Sequence, residues 1–257
     1  MDLLLVGCGA IGSEIARAAQ RMPEVGRIAL YDVRRDAAEK LARQLEKGYA
    51  VATLEDGIRE ATLVVEAASQ EAVRQVAALA LDAGRDVMLL SVSALADDAL
   101  VRSLTDLARR RGRNIYVPSG AIGAIDALKA ARVGRLQSVT LTTTKPPAAL
   151  GLNGLEQAKV VYEGPADEAM RLFPKNVNIA ASLALAGLGA EQTRVRIVAD
   201  PRVARNTHEL RVEGDFGLLT LKVENEPSPH NPATSHLASL SAIALLHQIV
   251  HPLQLGT

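Results

Sequence analysis

The sequence predicts an α/β protein with a doubly wound parallel sheet, followed by a second α+β domain with an open, largely antiparallel sheet. Two observations carry that prediction. Through the first half, short apolar runs without polar alternation take turns with helical patterns. Strands of that kind are buried on both faces, as in a parallel sheet covered by helices on either side. After Pro118 the runs become β-branched, and two of them are joined by the short hairpin signal Gly214-Asp215, which favours antiparallel pairing.

The elements follow in order. Leu3–Val6 is the first strand, and the Gly-rich stretch Gly7–Gly12 leads into a helix over Ser13–Met22. Arg27–Tyr31 is a second strand, closed by Asp32, and Asp36–Lys47 is helical. Leu63–Ala67, Val87–Leu90 and Ile115–Val117 are further strands, separated by helices over Gln70–Asp82 and Asp97–Arg111. Beyond Pro118, strands are expected at Val139–Thr144, Val195–Ala199, His208–Glu213 and Phe216–Val223, with one long helix over about Pro174–Leu188. A Pro-rich passage, Pro227–Pro232, precedes a final amphipathic helix from Ala233 to Val250. The domains expected are therefore 1–118 and 119–232, with the terminal segment 233–257 able to pack back on the first.

Composition narrows the function classes. At roughly 150 residues per domain, 257 residues make one large domain or two modest ones. The 29 basic and 29 acidic side chains cancel, and no basic stripe stands out, so neither nucleic acid nor an anionic membrane gains a general attraction. Aromatics at 2% argue against base-stacking platforms. Cys8 is the single cysteine, which excludes an internal disulfide framework and any Cys-based zinc cluster, so no metal is expected. No basic segment precedes the apolar run at Leu3, and the uncharged, apolar-leaning stretch Asn176–Ala190 is shorter than the roughly 18 residues a membrane span needs. A soluble, cytoplasmic protein is expected.

The turn Gly7-Cys8-Gly9-Ala10-Ile11-Gly12 has the spacing of a dinucleotide site. Gly7 allows the tight turn, Gly9 lets backbone approach a pyrophosphate, and Gly12 lets helix and strand pack closely. The helix start, with the amides of Ala10 and Ile11, offers N–H donors and a partial positive charge to phosphates. Asp32 ends the next strand, about 20 residues on, where an acidic side chain binds ribose hydroxyls. This makes the first domain Rossmann-type and the cofactor NAD or NADP: Asp32 favours NAD, while Arg34 and Arg35 are placed to pair with a 2′-phosphate. Cys8 reads as a small apolar residue.

The second domain must supply the chemistry. In the strand at 208–213, His208 shares a face with Leu210 and Val212, opposite Glu209, Arg211 and Glu213. Alternation thus turns His208 toward the apolar side, as a general acid/base or as a core histidine bonded to a carbonyl. Ser119–Gly123 is rich in small residues, fit for close backbone approach to a ligand or for a hinge. Asn176 and Asn178, near a helix start, are caps or partners for a carboxamide.

The segments SGAIGAIDAL at 119–128, FPKNVNIAASLALAGLG at 173–189, VADPRVARNTHEL at 198–210 and NEPSPHNPATSHLASLSAIALL at 225–246, with GCGAIG at 7–12, resemble the L-aspartate dehydrogenase family over nearly the whole chain. The resemblance implies NAD- or NADP-dependent oxidation of L-aspartate to iminoaspartate, hydrolysis to oxaloacetate and ammonia, a link to de novo NAD biosynthesis, and a homodimer. It places the catalytic histidine at His208 and cofactor contacts at Ala121 and Asn178. The substrate carboxylates require cations or N–H donors; Lys145 is the candidate, with Asn176 a second substrate contact. Competing readings are a related reductase of the homoserine dehydrogenase or dihydrodipicolinate reductase type, and a nicotinamide-nucleotide sensor without turnover.

Overall fold

The computed structural model describes residues 1–152, 154–173, 178–229 and 231–256. The chain forms two compact units, one of Met1–Pro118 with Ser239–Gln254, the other built on Ser119–Ala238.

The first unit alternates strand and helix: β1 (Leu3–Val6), α1 (Ala10–Ala19), β2 (Ile28–Tyr31), α2 (Arg35–Ala42), β3 (Gly48–Ala50), α3 (Leu54–Glu60), β4 (Leu63–Glu66), α4 (Gln70–Asp82), β5 (Asp86–Leu89), α5 (Asp98–Arg111) and β6 (Ile115–Tyr116). The sheet order is β3-β2-β1-β4-β5-β6, and every pairing is parallel. Strand order therefore reverses between β1 and β4, the switch point outside whose carboxyl ends ligands bind in such sheets. β1 and β4 are buried along their whole length, which explains their unbroken apolar runs. Local chemistry sets the helix ends. The Asp97 carboxylate accepts from the Ala99 and Leu100 amides to cap α5, which stops at Gly112 with φ +62°, a left-handed stop that suits glycine.

The last helix of the chain, α9 (His236–Val250), completes this unit's core. Its Ala242 and Leu246 are fully buried among Leu3, Leu5, Ile15, Ile28 and Leu30. Burying one leucine side chain stabilises by about 1.5–3 kcal/mol. On the same stripe, the Ser239 hydroxyl donates to the Glu14 carboxylate.

The second unit contains α6 (Ile125–Ala131), β7 (Leu136–Lys145), β8 (Lys159–Pro165), α7 (Ala166–Leu172), α8 (Asn178–Ala186), β9 (Arg194–Ala199), β10 (Asn206–Gly214), β11 (Gly217–Asn225), β12 (Pro227–Ser228) and β13 (Asn231–Ser235). Its main sheet runs β11-β10-β7-β9-β8. Only β7 and β9 pair in parallel; the other three pairings are antiparallel. One face carries the core, with Val139, Leu141, Val195, Ile197, Leu210 and Val212 buried. The opposite positions, such as Arg194, Glu209 and Arg211, are exposed. α8 is apolar almost all round and correspondingly buried.

Several elements differ from the sequence reading. β3 and β8 were not expected. β3 is short and only half-buried, and β8 is an edge strand whose register shifts between Val160 and Tyr162, which erases a period-2 pattern. Residues 233–235, expected to begin the terminal helix, belong instead to β13, which pairs with β12. Ser235 pairs with Pro227 across the two strands, which keeps the chain extended up to His236, where the helix begins. The start expected for the long helix, Pro174 to Val177, lies outside the described residues. Among those residues, no helix is long and apolar enough to cross a membrane.

Candidate active site

In the first unit the glycine turn is built by mutual contact. Gly7 has φ +97°, and a Cβ there would sit 2.6 Å from the Ala67 carbonyl oxygen. A Cβ on Gly12 would run into the Gly7 carbonyl oxygen. Gly9 differs: its φ is an ordinary −73°, and a Cβ would meet nothing within 4 Å. Its missing side chain leaves open space at the helix start. α1 begins at Ala10 rather than Ser13, so the amides of Ala10, Ile11 and Gly12 fall in the first turn, where helix geometry supplies no acceptor. No acidic side chain lies in that turn to compete for them.

Asp32, just beyond β2, is tied to the turn. Its Oδ2 accepts from the Cys8 amide at 2.8 Å and its Oδ1 from the Arg34 amide at 2.9 Å. A carboxylate has about four acceptor positions, which leaves capacity for a diol. The Arg34 guanidinium lies 3.8 Å from Asp32, largely in solvent, and Arg35 pairs with Glu39 at 2.9 Å. The Cys8 thiol is pushed up to about 12 by burial and, secondarily, by the Asp32 charge; it stays a thiol. These features fit a dinucleotide: a cradle that a Cβ would fill, donors at a helix start, and an anchored carboxylate.

Glu66 was not foreseen. It ends β4 with no solvent exposure. Its Oε1 accepts from the Ala68 amide at 2.8 Å and the Ser91 hydroxyl at 2.9 Å, and its Oε2 from the Ser91 amide at 3.0 Å. Burial pushes its carboxyl above the ordinary range, against the pull of those donors. It thereby fixes the loop whose Ala67 carbonyl walls the glycine turn. The only signal in sequence is an acid closing the run Leu63-Val64-Val65.

In the second unit the β7–β10 register sets Thr143 opposite His208. The Thr143 Oγ1 lies 3.0 Å from His208 Nδ1, and both residues are 4% exposed. His208 is the third residue of β10, not its first. Its pKa is pushed down to about 4, chiefly by burial and then by the charge of Lys145. Lys145 ends β7, buried, and burial lowers its own pKa. Its carbonyl accepts from the Asp200 amide at 3.0 Å, and the Asp200 carboxylate holds Arg202 at 2.9 Å. The arrangement is a neutral imidazole close to a buried cation.

Ala121 is buried, and its carbonyl accepts from Asn225 Nδ2 at 3.0 Å. Asn225, the last residue of β11, is a second polar group that the sequence reading missed. The same stretch holds Gly120 at φ +74° and Ala124 at φ +61°. A non-glycine residue there costs about 1–3 kcal/mol and persists only where its surroundings impose it. Asn178 begins α8; Asn176 lies outside the described residues.

Residues 7–118 match the family model described as homoserine dehydrogenase, NAD binding domain, and residues 126–249 that described as aspartate dehydrogenase, C-terminal. The chain is 45% identical to the L-aspartate dehydrogenase of Methanosarcina barkeri, over 98% of each chain. It is 44% identical to that of Methanothermobacter thermautotrophicus, over 98% of this chain and 97% of the other. The crystal structure of aspartate dehydrogenase from Thermotoga maritima superposes with a TM-score of 0.83 at 28% identity, over 100% of this chain and 99% of the other. Likeness at that level from end to end leaves one assignment: the chain belongs to the L-aspartate dehydrogenase family of nicotinamide-nucleotide-dependent oxidoreductases.

Proposed function

We infer that this protein oxidises L-aspartate to iminoaspartate, which hydrolyses to oxaloacetate and ammonia, and that the imine feeds de novo NAD biosynthesis. The observation that carries the reading is the buried, uncharged His208 close to Lys145 on one sheet face. The glycine turn with the Ala10–Gly12 amides would hold the pyrophosphate and Asp32 the adenosine ribose; the family resemblance adds Ala121 and Asn178 as cofactor contacts. Asp32 favours NAD; Arg34 keeps NADP within reach. When bound, the nicotinamide accepts the hydride that leaves Cα of the amino acid.

The chain's own part is acid–base and electrostatic. Lys145 would pair with a substrate carboxylate, a charge-assisted contact strengthened by burial. Burial holds the His208 pKa down and the Lys145 charge adds to it; the pairing offsets that second contribution, so a dicarboxylate makes His208 a better base as it binds. His208 Nε2 then takes a proton from the substrate amine and afterwards orients the water that attacks the imine carbon. A homodimer and a cytoplasmic site of action belong to the same reading and rest on the family resemblance. Balanced charge supports a small-molecule partner over nucleic acid or membrane.

The test follows absorbance of the reduced nicotinamide with L-aspartate, L-glutamate and L-homoserine, each with NAD and with NADP. Reduction with L-aspartate alone is expected, faster with NAD. Silence with L-aspartate, and in reverse with oxaloacetate and ammonia, would remove the reading.

A further inference from the structure

We propose that Thr143 is a positioning residue that serves both neutral tautomers of His208, so that Nε2 can present either a lone pair or a proton to the substrate. The proposal rests on the role inferred above for His208.

The geometry is a direct cross-strand pair. Thr143 on β7 and His208 on β10 are register partners, with Oγ1 and Nδ1 3.0 Å apart, both out of solvent. A hydroxyl has one donor hydrogen and two lone pairs, and it rotates to suit. When Thr143 accepts from Nδ1–H, Nε2 carries a lone pair and is a base. When Thr143 donates to Nδ1, Nε2 carries the hydrogen and can donate to a carbonyl or a water. A carboxylate or a backbone carbonyl in the same place would accept only, fixing the Nδ1–H tautomer, and a carboxylate would also draw the ring toward the charged form. A threonine imposes neither. Oxidation of an amine followed by hydration of an imine asks one imidazole for both functions in turn.

Among the described residues, no anionic side chain acts on the ring. Lys145 on β7 is the cation that acts on the ring. Val223 is its partner on β11, and Ala199 lies beside Lys145 on β9. Asp200, next along, is engaged by Arg202. Glu209, Lys222 and Glu224 alternate onto the opposite, exposed face.

The experiment compares wild type, Thr143→Val, Thr143→Ser and His208→Ala in steady-state kinetics with L-aspartate and NAD across pH. Thr143→Val is expected to lower kcat by about 10–100-fold, the scale found for groups that orient metal-bound histidines, with KM for NAD changed less than about twofold. Without an acceptor for Nδ1–H the charged ring is disfavoured, so the acid limb of kcat/KM moves to lower pH. Thr143→Ser, which keeps the hydroxyl, is expected to restore the rate. An unchanged plateau and limb in Thr143→Val, with His208→Ala inactive, would overturn the proposal and leave the reaction assignment standing. A Thr143→Ser variant as slow as Thr143→Val would also overturn it, by tracing the effect to the methyl group. An active His208→Ala would instead sink the assignment itself. Should Thr143→Val not fold, ¹⁵N-histidine spectra of the wild type decide, with His208→Gln identifying the signals. Ring nitrogen shifts averaged between both tautomers are expected, and one fixed tautomer across the neutral range overturns the proposal.

Discussion

The carboxyl edge of β1, β2 and β4 and the paired ends of β7 and β10 handle buried charge in opposite ways. At the first, Asp32 and Glu66 each collect hydrogen bonds from backbone amides, so the acidic groups are fastened to the main chain. At the second, His208 and Lys145 are carried on one sheet face, and burial lowers the pKa of both. The first pattern makes a rigid cradle whose chemistry is mostly backbone. The second holds an imidazole and an ammonium out of solvent, and on the reading proposed above an incoming carboxylate changes their balance. On that reading, a binding surface and a reacting centre differ in how desolvation is offset.

The comparison breaks first at His208. Replacing it with alanine is expected to lower kcat by about 10²–10⁴-fold, the range of general acid–base contributions, while NADH affinity measured by fluorescence titration stays nearly intact. A matching loss of affinity would erase the division between cradle and centre. Asp32→Ala comes next. Losing charge-assisted bonds worth about 1.5–3 kcal/mol should weaken NAD by about 10–100-fold and NADP by less, and equal losses would contradict the ribose assignment.

Glu66→Gln tests the fastened carboxylate. An amide nitrogen in place of one oxygen faces a donor it cannot accept from, so unfolding stability should drop by about 1–3 kcal/mol. The pH slopes sharpen the contrast. The folded Glu66 carboxyl lies above its unfolded value, so its contribution favours folding at low pH and is lost as pH rises through the folded pKa. His208 is depressed from 6.5 to about 4, so its contribution is present above the unfolded value and is lost as pH falls from 6.5 toward 4. Denaturant titrations across pH should find the first slope missing in Glu66→Gln and the second missing in His208→Ala. The smallest effect belongs to Arg34→Ala. Its pair with Asp32 is largely solvated, worth about 0–1 kcal/mol, so the melting temperature should hardly move while NADP loses affinity relative to NAD.

Local spacing made the cradle legible in sequence. The glycines, the helix start and Asp32 all follow from one strand–turn–helix–strand unit, and the parallel sheet followed from unbroken runs such as Leu3–Val6. His208 was readable as inward-facing from alternation within its own strand. Its partner was not. Thr143 lies 65 positions away, and Asn225 lies 104 positions from Ala121; only strand register brings such pairs together. Glu66 escaped notice because an acid at the end of an apolar run reads as the start of a loop, whereas its donors come from Ala68 and from Ser91 beyond the next strand.

The return of the chain at Ser239 to complete the first unit has a consequence for biosynthesis. A nascent chain that has reached Pro118 holds all six parallel strands but not Ala242 and Leu246, which close their core. Translation at about 5–20 residues per second separates the two events by on the order of ten seconds. The intervening polypeptide, with every strand of the other sheet, leaves the ribosome in that interval. The nucleotide-binding half is therefore first to be started and last to be finished, and a ribosome stalled before Ser239 leaves it with an open apolar seam for chaperones to guard.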